Sequence, residues 1–328
     1  MIVSIYLEND SFIHSKDEKK LLEIEKKENI VFESKSSYNN ITILNTDMGR
    51  ILLFEDTYQG GIINYNGFKG GMPYTRYYHL ANVINEKIQN ILVLGLGSGS
   101  ILLDILKTYD CNLIDAVEID PIIIELAHKY FDLPENGNFN IHCEDAIDFV
   151  YNTKNKYDFI IVDIFVSKGM PYKFMTWEFI QKAHSILKNN GVIGVNLFGT
   201  EDISEEINAI FRSEYKTYSS IFNTLYCFPV LYGAYEFYRY SCNLRYKLGS
   251  LTNVVLLATK AEQKISKTQF IQKARALMKS TKLNHFKNFD LYARDYYEKE
   301  ISTKGVKILT NNFDSDLDYN QFQQLIQD

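Results

Sequence analysis

The stretch Ile91 to Asp120, ILVLGLGSGSILLDILKTYDCNLIDAVEID, decides how the rest of the chain reads. Ile91 to Leu94 is an apolar run of the length of a buried parallel strand. A glycine turn follows, Gly95-Leu96-Gly97-Ser98-Gly99, and then Ile101, Leu102, Ile105 and Leu106 recur at helical spacing. A second apolar run, Leu113 to Val117, ends in Glu118-Ile119-Asp120. The pattern predicts a β-α-β unit with its glycines at the first strand-to-helix turn. Glycine lets backbone approach a ligand closely, and the helix N-terminus offers free N–H groups. A carboxylate at the tip of the second strand suits the two hydroxyls of a ribose, so the spacing points to a nucleoside ligand.

The turn is G-x-G-x-G rather than the G-x-G-x-x-G of dinucleotide sites, which tilts the ligand away from NAD. Neither Lys nor Arg lies between Gly95 and Ile101, where a phosphate cradle would need one. The expected ligand is an adenosine without phosphate. Downstream, Pro121 to Tyr130 reads as a helix with its proline in the first turn. Asn140 to Cys143, Phe159 to Val162, Val192 to Leu197 and Asn253 to Ala258 read as further strands. Helices are expected over Ala146–Tyr151, Met175–Leu187 and Ile203–Phe211. The tyrosine-rich connection from Tyr215 to Tyr246 reads as core packing plus a surface loop.

Upstream, four short runs, Ile30–Glu33, Ile41–Leu44, Ile51–Phe54 and Gly61–Asn64, are separated by turn residues and predict antiparallel strands. A glycine-rich break, Gly67 to Pro73, precedes one helix near Tyr74–Asn85. Asp17 to Lys27 is charge-dense and reads as a solvated helix or leader. The domain division expected is therefore 1–73, a small antiparallel β domain with a leader, and 74–328, an α/β domain. The latter has a Rossmann-like sheet, helices on both faces and C-terminal helices.

The 328 residues are 46% hydrophobic and 23% charged, enough for a sizeable core, and the formal charge of -6 argues against a nucleic-acid backbone as main partner. The start MIVSIYLENDSF lacks the basic-then-apolar order of a signal peptide, and no apolar run approaches the ~20 residues of a membrane span. Cys111, Cys143, Cys227 and Cys242 show no C-x-x-C spacing, and structural thiols in a reducing cytoplasm are the simplest reading. His79, His128, His142 and His184 have no metal spacing, so no metal is expected. Trp177 reads as a core anchor.

In an open parallel sheet, ligands bind at the carboxyl ends of the strands. Gly95 to Gly99, Glu118 with Asp120, Glu144 with Asp145, Asp163 and Asn196 all fall there. The bland alternative is that the carboxylates cap the following helices, which suits Asp120 before Pro121.

These residues also carry a resemblance. VLGLGSGS, VEIDP, EDAIDFV, YDFIIVDIF and LKNNGVIGVN are similar to the class I S-adenosylmethionine-dependent transferases. Within that group the chain resembles the spermidine synthase (polyamine aminopropyltransferase) family, best over Asn29 to Asn196. RILLFEDTYQGG resembles that family's glutamine-bearing strand, and Tyr77-Tyr78-His79 its Tyr-His motif. The resemblance implies that Gly95 and Gly97 pass beneath the sulfonium and ribose, that Glu118 binds the ribose hydroxyls, and that Asp145, followed by Ala146, binds the adenine amino group. It implies Gln59 and Ser98 near the ligand's tail. Asp163 is implied as the group that holds and deprotonates an attacking amine, with Tyr78 and His79 on the acceptor side; the connection before Asn253 departs from the family and is expected to line the acceptor pocket, Tyr232 included. It also implies a homodimer. The chain departs from the family at Ser98 and Val166, where an aspartate and a second acid are expected, and at Leu80, where a glutamate is expected. Three readings stand. The first is aminopropyl transfer from decarboxylated S-adenosylmethionine to a small amine. The others are methyl transfer from S-adenosylmethionine to a small molecule, and nucleoside binding without turnover.

Overall fold

The computed structural model describes residues 29–312, except 56, 66–67, 168, 236–251, 281–282, 284–285 and 287. The charge-dense segment Asp17 to Lys27 and the tyrosine-rich connection from residue 236 lie outside the described residues.

Five strands open the described chain: β1 (Ile30–Lys35), β2 (Asn40–Thr46), β3 (Gly49–Phe54), β4 (Thr57–Tyr65) and β5 (Phe68–Gly70). They pair antiparallel in chain order. The first four coincide with the predicted runs. β5 falls in the expected glycine-rich break, because the β4 ladder continues across the turn with Asn64 opposite Lys69. Alternation decides which face is covered. Ile41, Ile43, Leu52 and Phe54 pack on Ile123, Leu126 and Phe131, so this sheet leans on the α/β part through one helix.

The α/β part begins with α1 (Thr75–Tyr78) and α2 (Ala81–Ile84), two short helices where one was expected. Then follow β6 (Asn90–Leu94), α3 (Ser100–Thr108), β7 (Leu113–Glu118), α4 (Pro121–Tyr130), β8 (Asn140–Cys143), α5 (Ala146–Asn152) and β9 (Tyr157–Val162). After α6 (Trp177–Ile186) come β10 (Leu187–Gly199), α7 (Ala209–Ser219), β11 (Thr224–Pro229), β12 (Thr252–Thr259), α8 (Lys267–Ser280) and α9 (Phe289–Tyr292). The seven-stranded sheet has the order β11-β12-β10-β9-β6-β7-β8. β8, β7, β6, β9 and β10 are parallel, and β12 runs antiparallel between β10 and β11.

Both faces of the sheet are covered, as the unbroken apolar runs predict. Ile91, Val93, Phe159 and Ile161 enter one core cluster, and Leu92, Leu94, Ile160 and Val162 enter the other. Each such side chain contributes about 1.5–3 kcal/mol when fully buried.

Three expectations need correction. β11 lies inside the tyrosine-rich connection, and all six of its residues are buried, so no polar alternation marks it as a strand. The helix expected over Ile203–Phe211 is instead a single tight turn at Glu206–Asn208 followed by α7. Asn208 explains the delay. Its side chain accepts from Thr200 N at 2.9 Å and donates to Thr200 Oγ1 at 2.8 Å and Asp202 O at 3.0 Å, which pins residues 200–208 as a loop. Trp177 is 38% exposed rather than a core anchor; Phe179, Ile180, Ala183 and Ile186 form the buried stripe of α6.

Candidate active site

The carboxyl ends of β6, β7 and β9 meet at the glycine turn. Gly95 has φ +91°, and a Cβ added there would stand 2.3 Å from the Asp163 carbonyl oxygen. Gly97 has φ +53° and would meet nothing within 4 Å, so open space lies beside it. Gly99, also left-handed, caps α3. Ser98 is buried beneath β4, its Oγ 3.0 Å from where a Cβ on Gly60 would sit. This contact brings the strand that carries Gln59 over the glycine turn.

Glu118 is tied to the same turn. Its Oε2 accepts from Leu96 N at 3.1 Å and Gly97 N at 3.4 Å, and its Oε1 accepts from Asp120 N at 3.0 Å. Burial raises its pKa, and those backbone donors pull it back. Asp120 caps α4 by accepting from Ile122 N at 3.0 Å. Asp145 caps α5 by accepting from Ile147 N at 2.8 Å, ahead of the buried Ala146, and its other oxygen accepts from Lys173 Nζ at 2.6 Å. Both functional-looking carboxylates are thus also structural.

Asp163 follows β9 directly and sits at the centre of a polar cluster. Tyr74 donates to Oδ2 at 2.8 Å, while Asn196 at 3.1 Å and Tyr78 at 3.3 Å donate to Oδ1. Asn253 Nδ2 in turn donates to Asn196 Oδ1 at 2.9 Å, fixing the amide's orientation. Burial pushes the Asp163 carboxyl up to about 6, and the hydrogen bonds from Tyr74, Asn196 and Tyr78 restrain it. The two phenols are raised well above their ordinary range, by burial first and by the adjacent carboxylate next, so they stay protonated donors. Beside the cluster lies an open cleft whose walls include Tyr58, Gln59, Tyr74, Phe165, Val166 and Asn196. The chemistry available is proton acceptance by a partly desolvated carboxylate inside an aromatic cleft.

Tyr78 and Asp163 therefore meet, and Gln59 lines the cleft together with Tyr74 and Asn196, both of which bond Asp163. His79 and Tyr232 do not join them. His79 Nδ1 pairs with the Tyr109 hydroxyl at 3.1 Å and its ring packs on Phe286, because it leaves its helix on the side away from Tyr78. Tyr232 packs on Tyr292, its N donates to Asp295 at 2.7 Å, and its hydroxyl accepts from Asn288 at 3.2 Å. It belongs to the seam with the C-terminal segment. Sequence reasoning missed Tyr74 and Asn253. Tyr74 carried a signal, since it precedes Tyr78 by one helical turn and shares its face. Asn253 carried none, because its role depends on β12 pairing beside β10. Among the described residues no group of three or more His, Cys, Asp or Glu side chains is arranged to hold a metal ion, and no helix is long and apolar enough to cross a membrane.

Residues 74–239 match the model of the spermine/spermidine synthase domain, which is half of the chain. The chain belongs to the spermine/spermidine synthase family. Among relatives of the family member, a polyamine aminopropyltransferase of Vibrio vulnificus is 29% identical over 210 residues, covering 61% of this chain and 68% of that protein. One from Alkaliphilus metalliredigens is 24% identical over 168 residues, covering 50% of this chain and 57% of that protein. The N-terminal histidine N-methyltransferase of Emericella nidulans is 39% identical over 140 residues, covering 41% of this chain but 24% of that protein. The crystal structure of spermidine synthase from Thermotoga maritima shares the fold, with a TM-score of 0.61 at 20% identity over 83% of this chain and 85% of that one. The α/β sheet preceded by an antiparallel β unit is thus the architecture of the family.

Proposed function

We propose that this transferase moves an aminopropyl group from decarboxylated S-adenosylmethionine to a small-molecule amine, with Asp163 as the proton acceptor. One observation carries the reading. Asp163 is held by Tyr74, Tyr78 and Asn196, of which Tyr74 and Asn196 line the aromatic cleft, and its backbone packs on Gly95 of the glycine turn. The donor set fits a nucleoside. Gly97 has open space beside it, and Glu118 and Asp145 stand at the next two strand ends to take ribose and adenine. Gln59 and the neutral Ser98 would line the donor's tail.

The amine nitrogen forms the new C–N bond as the C–S bond breaks, its electron pair passing to sulfur and leaving methylthioadenosine. The amine must first be neutral. Freeing a lone pair three pH units below an amine pKa costs about 4 kcal/mol. Asp163 offsets this by accepting the proton, since a carboxylate raised towards neutrality is a better base than an exposed one. Tyr74 and Tyr78 keep it oriented, and the aromatic walls exclude water around the cation.

The test is formation of methylthioadenosine from the decarboxylated donor and an amine. Asp163→Asn should reduce the rate by at least about 100-fold. Turnover near that of the unaltered protein would sink the proton-acceptor role. A second reading, methyl transfer from S-adenosylmethionine, is favoured by the neutral Ser98 and Val166 and by the 39% identity to the Emericella nidulans methyltransferase. Calorimetric titration with the two donors separates them. Tighter binding of the carboxylated donor, with methyl rather than aminopropyl transfer, would decide for the second reading.

A further inference from the structure

Three strand-end carboxylates are assigned to the site, and they are held differently. Glu118 is held by backbone N–H groups, and Asp163 by two phenols and an amide. Asp145 alone of the three meets a cation. Its Oδ1 accepts from Ile147 N at 2.8 Å, and its Oδ2 accepts from Lys173 Nζ at 2.6 Å. Anchors on two different oxygens fix the plane of a carboxylate. With the backbone anchor alone, the group can swing about that one bond.

The side chains of this pair are 41% and 26% exposed, and a pair so open to solvent is ordinarily worth little, because ordering a lysine costs entropy. Here Lys173 is set in place by its neighbours. It lies in the tight turn Tyr172–Phe174, which buries both flanking rings and leaves Lys173 between them nearer the surface. Phe174 N donates to Pro171 O at 3.0 Å and Met175 N to Tyr172 O at 2.9 Å, closing the turn. Thr176 Oγ1 donates to the Lys173 carbonyl at 3.1 Å. The ammonium lies 5.1 Å from the centre of the Phe174 ring, an added restraint on its stem.

The C-terminal part of the chain grips the same turn. After Asp295 no described residue belongs to a helix or strand, and residues 296–311 form a strap along α7 to the start of α6. Arg212 donates to Ser302 O at 2.8 Å and Lys304 O at 2.7 Å, Lys216 donates to Val306 O at 2.6 Å, and Leu309 N donates to Thr217 Oγ1 at 3.0 Å. The strap then bonds on both sides of Lys173. Tyr172 donates to Thr310 O at 3.0 Å, and Trp177 N donates to Leu309 O at 2.7 Å. Lys173 thus reaches Asp145 from a turn fixed at both ends.

We propose that Lys173 is a positioning residue that fixes the Asp145 carboxylate for the amino group of the base, so that preference for a 6-aminopurine depends on this ion pair. The proposal rests on the reading of Asp145 as the group that takes adenine. An amino group donates, and it discriminates best against an acceptor whose lone pairs are held in one plane. Lys173 supplies that constraint and leaves acceptor capacity on both oxygens.

The experiment titrates the full chain calorimetrically with methylthioadenosine and with its analogue lacking the 6-amino group. The ratio of the two Kd values measures discrimination. Lys173→Met keeps a long stem and removes the charge. It should cut discrimination about fivefold by weakening methylthioadenosine, with the analogue's Kd within about twofold as the control for folding. Lys173→Arg, which can donate to the same oxygen, should restore most of the loss. A loss shared equally by both nucleosides would mean that Lys173 only shapes the pocket, and unchanged discrimination would mean that the pair is idle. Either result overturns the proposal. Asp145→Asn separates this from the reading beneath it. Discrimination lost in Asp145→Asn but kept in Lys173→Met removes the positioning role and leaves Asp145 as the reader of the base. Discrimination kept in both removes the adenine reading of Asp145 as well.

Discussion

Two glycines two positions apart should respond to the same change to different extents and in different properties. Gly95→Ala puts a Cβ 2.3 Å from the Asp163 carbonyl oxygen and 2.9 Å from its carbonyl carbon, at φ +91°. Backbone cannot give way cheaply here, since Gly95 N donates to Val117 O at 2.9 Å and Asp163 N donates to Leu94 O at 2.9 Å. The left-handed conformation alone costs about 1–2 kcal/mol for a residue with a Cβ, and overpacking adds about 1–3 kcal/mol. A total of about 2–5 kcal/mol is expected, together with displacement of Asp163 and loss of turnover. Gly97→Ala at φ +53° meets nothing within 4 Å, so about 1 kcal/mol is expected. Its methyl group enters the space assigned to the nucleoside, so methylthioadenosine affinity should fall while the fold persists. Urea denaturation and calorimetric titration on both variants read the two effects. Equal destabilisation by the two substitutions, or Gly97→Ala with unaltered nucleoside affinity, would refute the reasoning.

The Asp163 cluster sets a pH dependence. Only the ionised carboxylate accepts a proton, so the rate should rise with pH through about 6, where burial has pushed the group. Tyr74→Phe removes a donor to the ionised form and should move that limb up by about one unit; a pH–rate profile that stays in place would count against Tyr74 as its tuner. For stability the sign runs the other way. The folded-state pKa of Asp163 lies above its ordinary 3.8, so the folded protein binds this proton more tightly. That contribution is complete below about pH 4 and is lost as pH rises through about 6. Asp163→Asn should therefore gain on the unaltered protein over this window, and parallel stability curves would contradict the burial argument. Tyr77→Phe should cost about 1–3 kcal/mol in denaturation, because Gly233 N and Asp295 lose a shared hydroxyl. Nucleoside affinity should not change; a loss of affinity would mean that this seam reaches the site.

Much of the fold was legible because parallel strands buried on both faces read as apolar runs, unbroken over Ile91–Leu94 in β6 and Phe159–Val162 in β9 and interrupted in β7 only by Asp115. β11 has the same burial but sits among tyrosines that also suit a packed loop, and its pairing with β12 is non-local. Asp163 and Asn196 were legible as strand-end polar residues. His79 misled for a geometric reason. Adjacent residues on a helix point about 100° apart, so Tyr78 and His79 cannot face the same cleft. The structure gives Tyr78 to Asp163 and His79 to Tyr109.

The capping and ligand-binding readings of the strand-end carboxylates were posed as alternatives, yet the hydrogen-bond count makes them compatible. A carboxylate offers about four acceptor sites. Glu118 uses three on Leu96, Gly97 and Asp120 backbone, and Asp145 uses two on Ile147 and Lys173. Each retains acceptor capacity, and each is held still by the bonds it already makes. The bond from Gly97 N is the longest of the five, so it is the weakest competitor for a guest hydroxyl. Structural duty is what pre-organises these groups. Asp163 follows the same logic with side-chain donors in place of backbone, which leaves its carboxylate both fixed and basic.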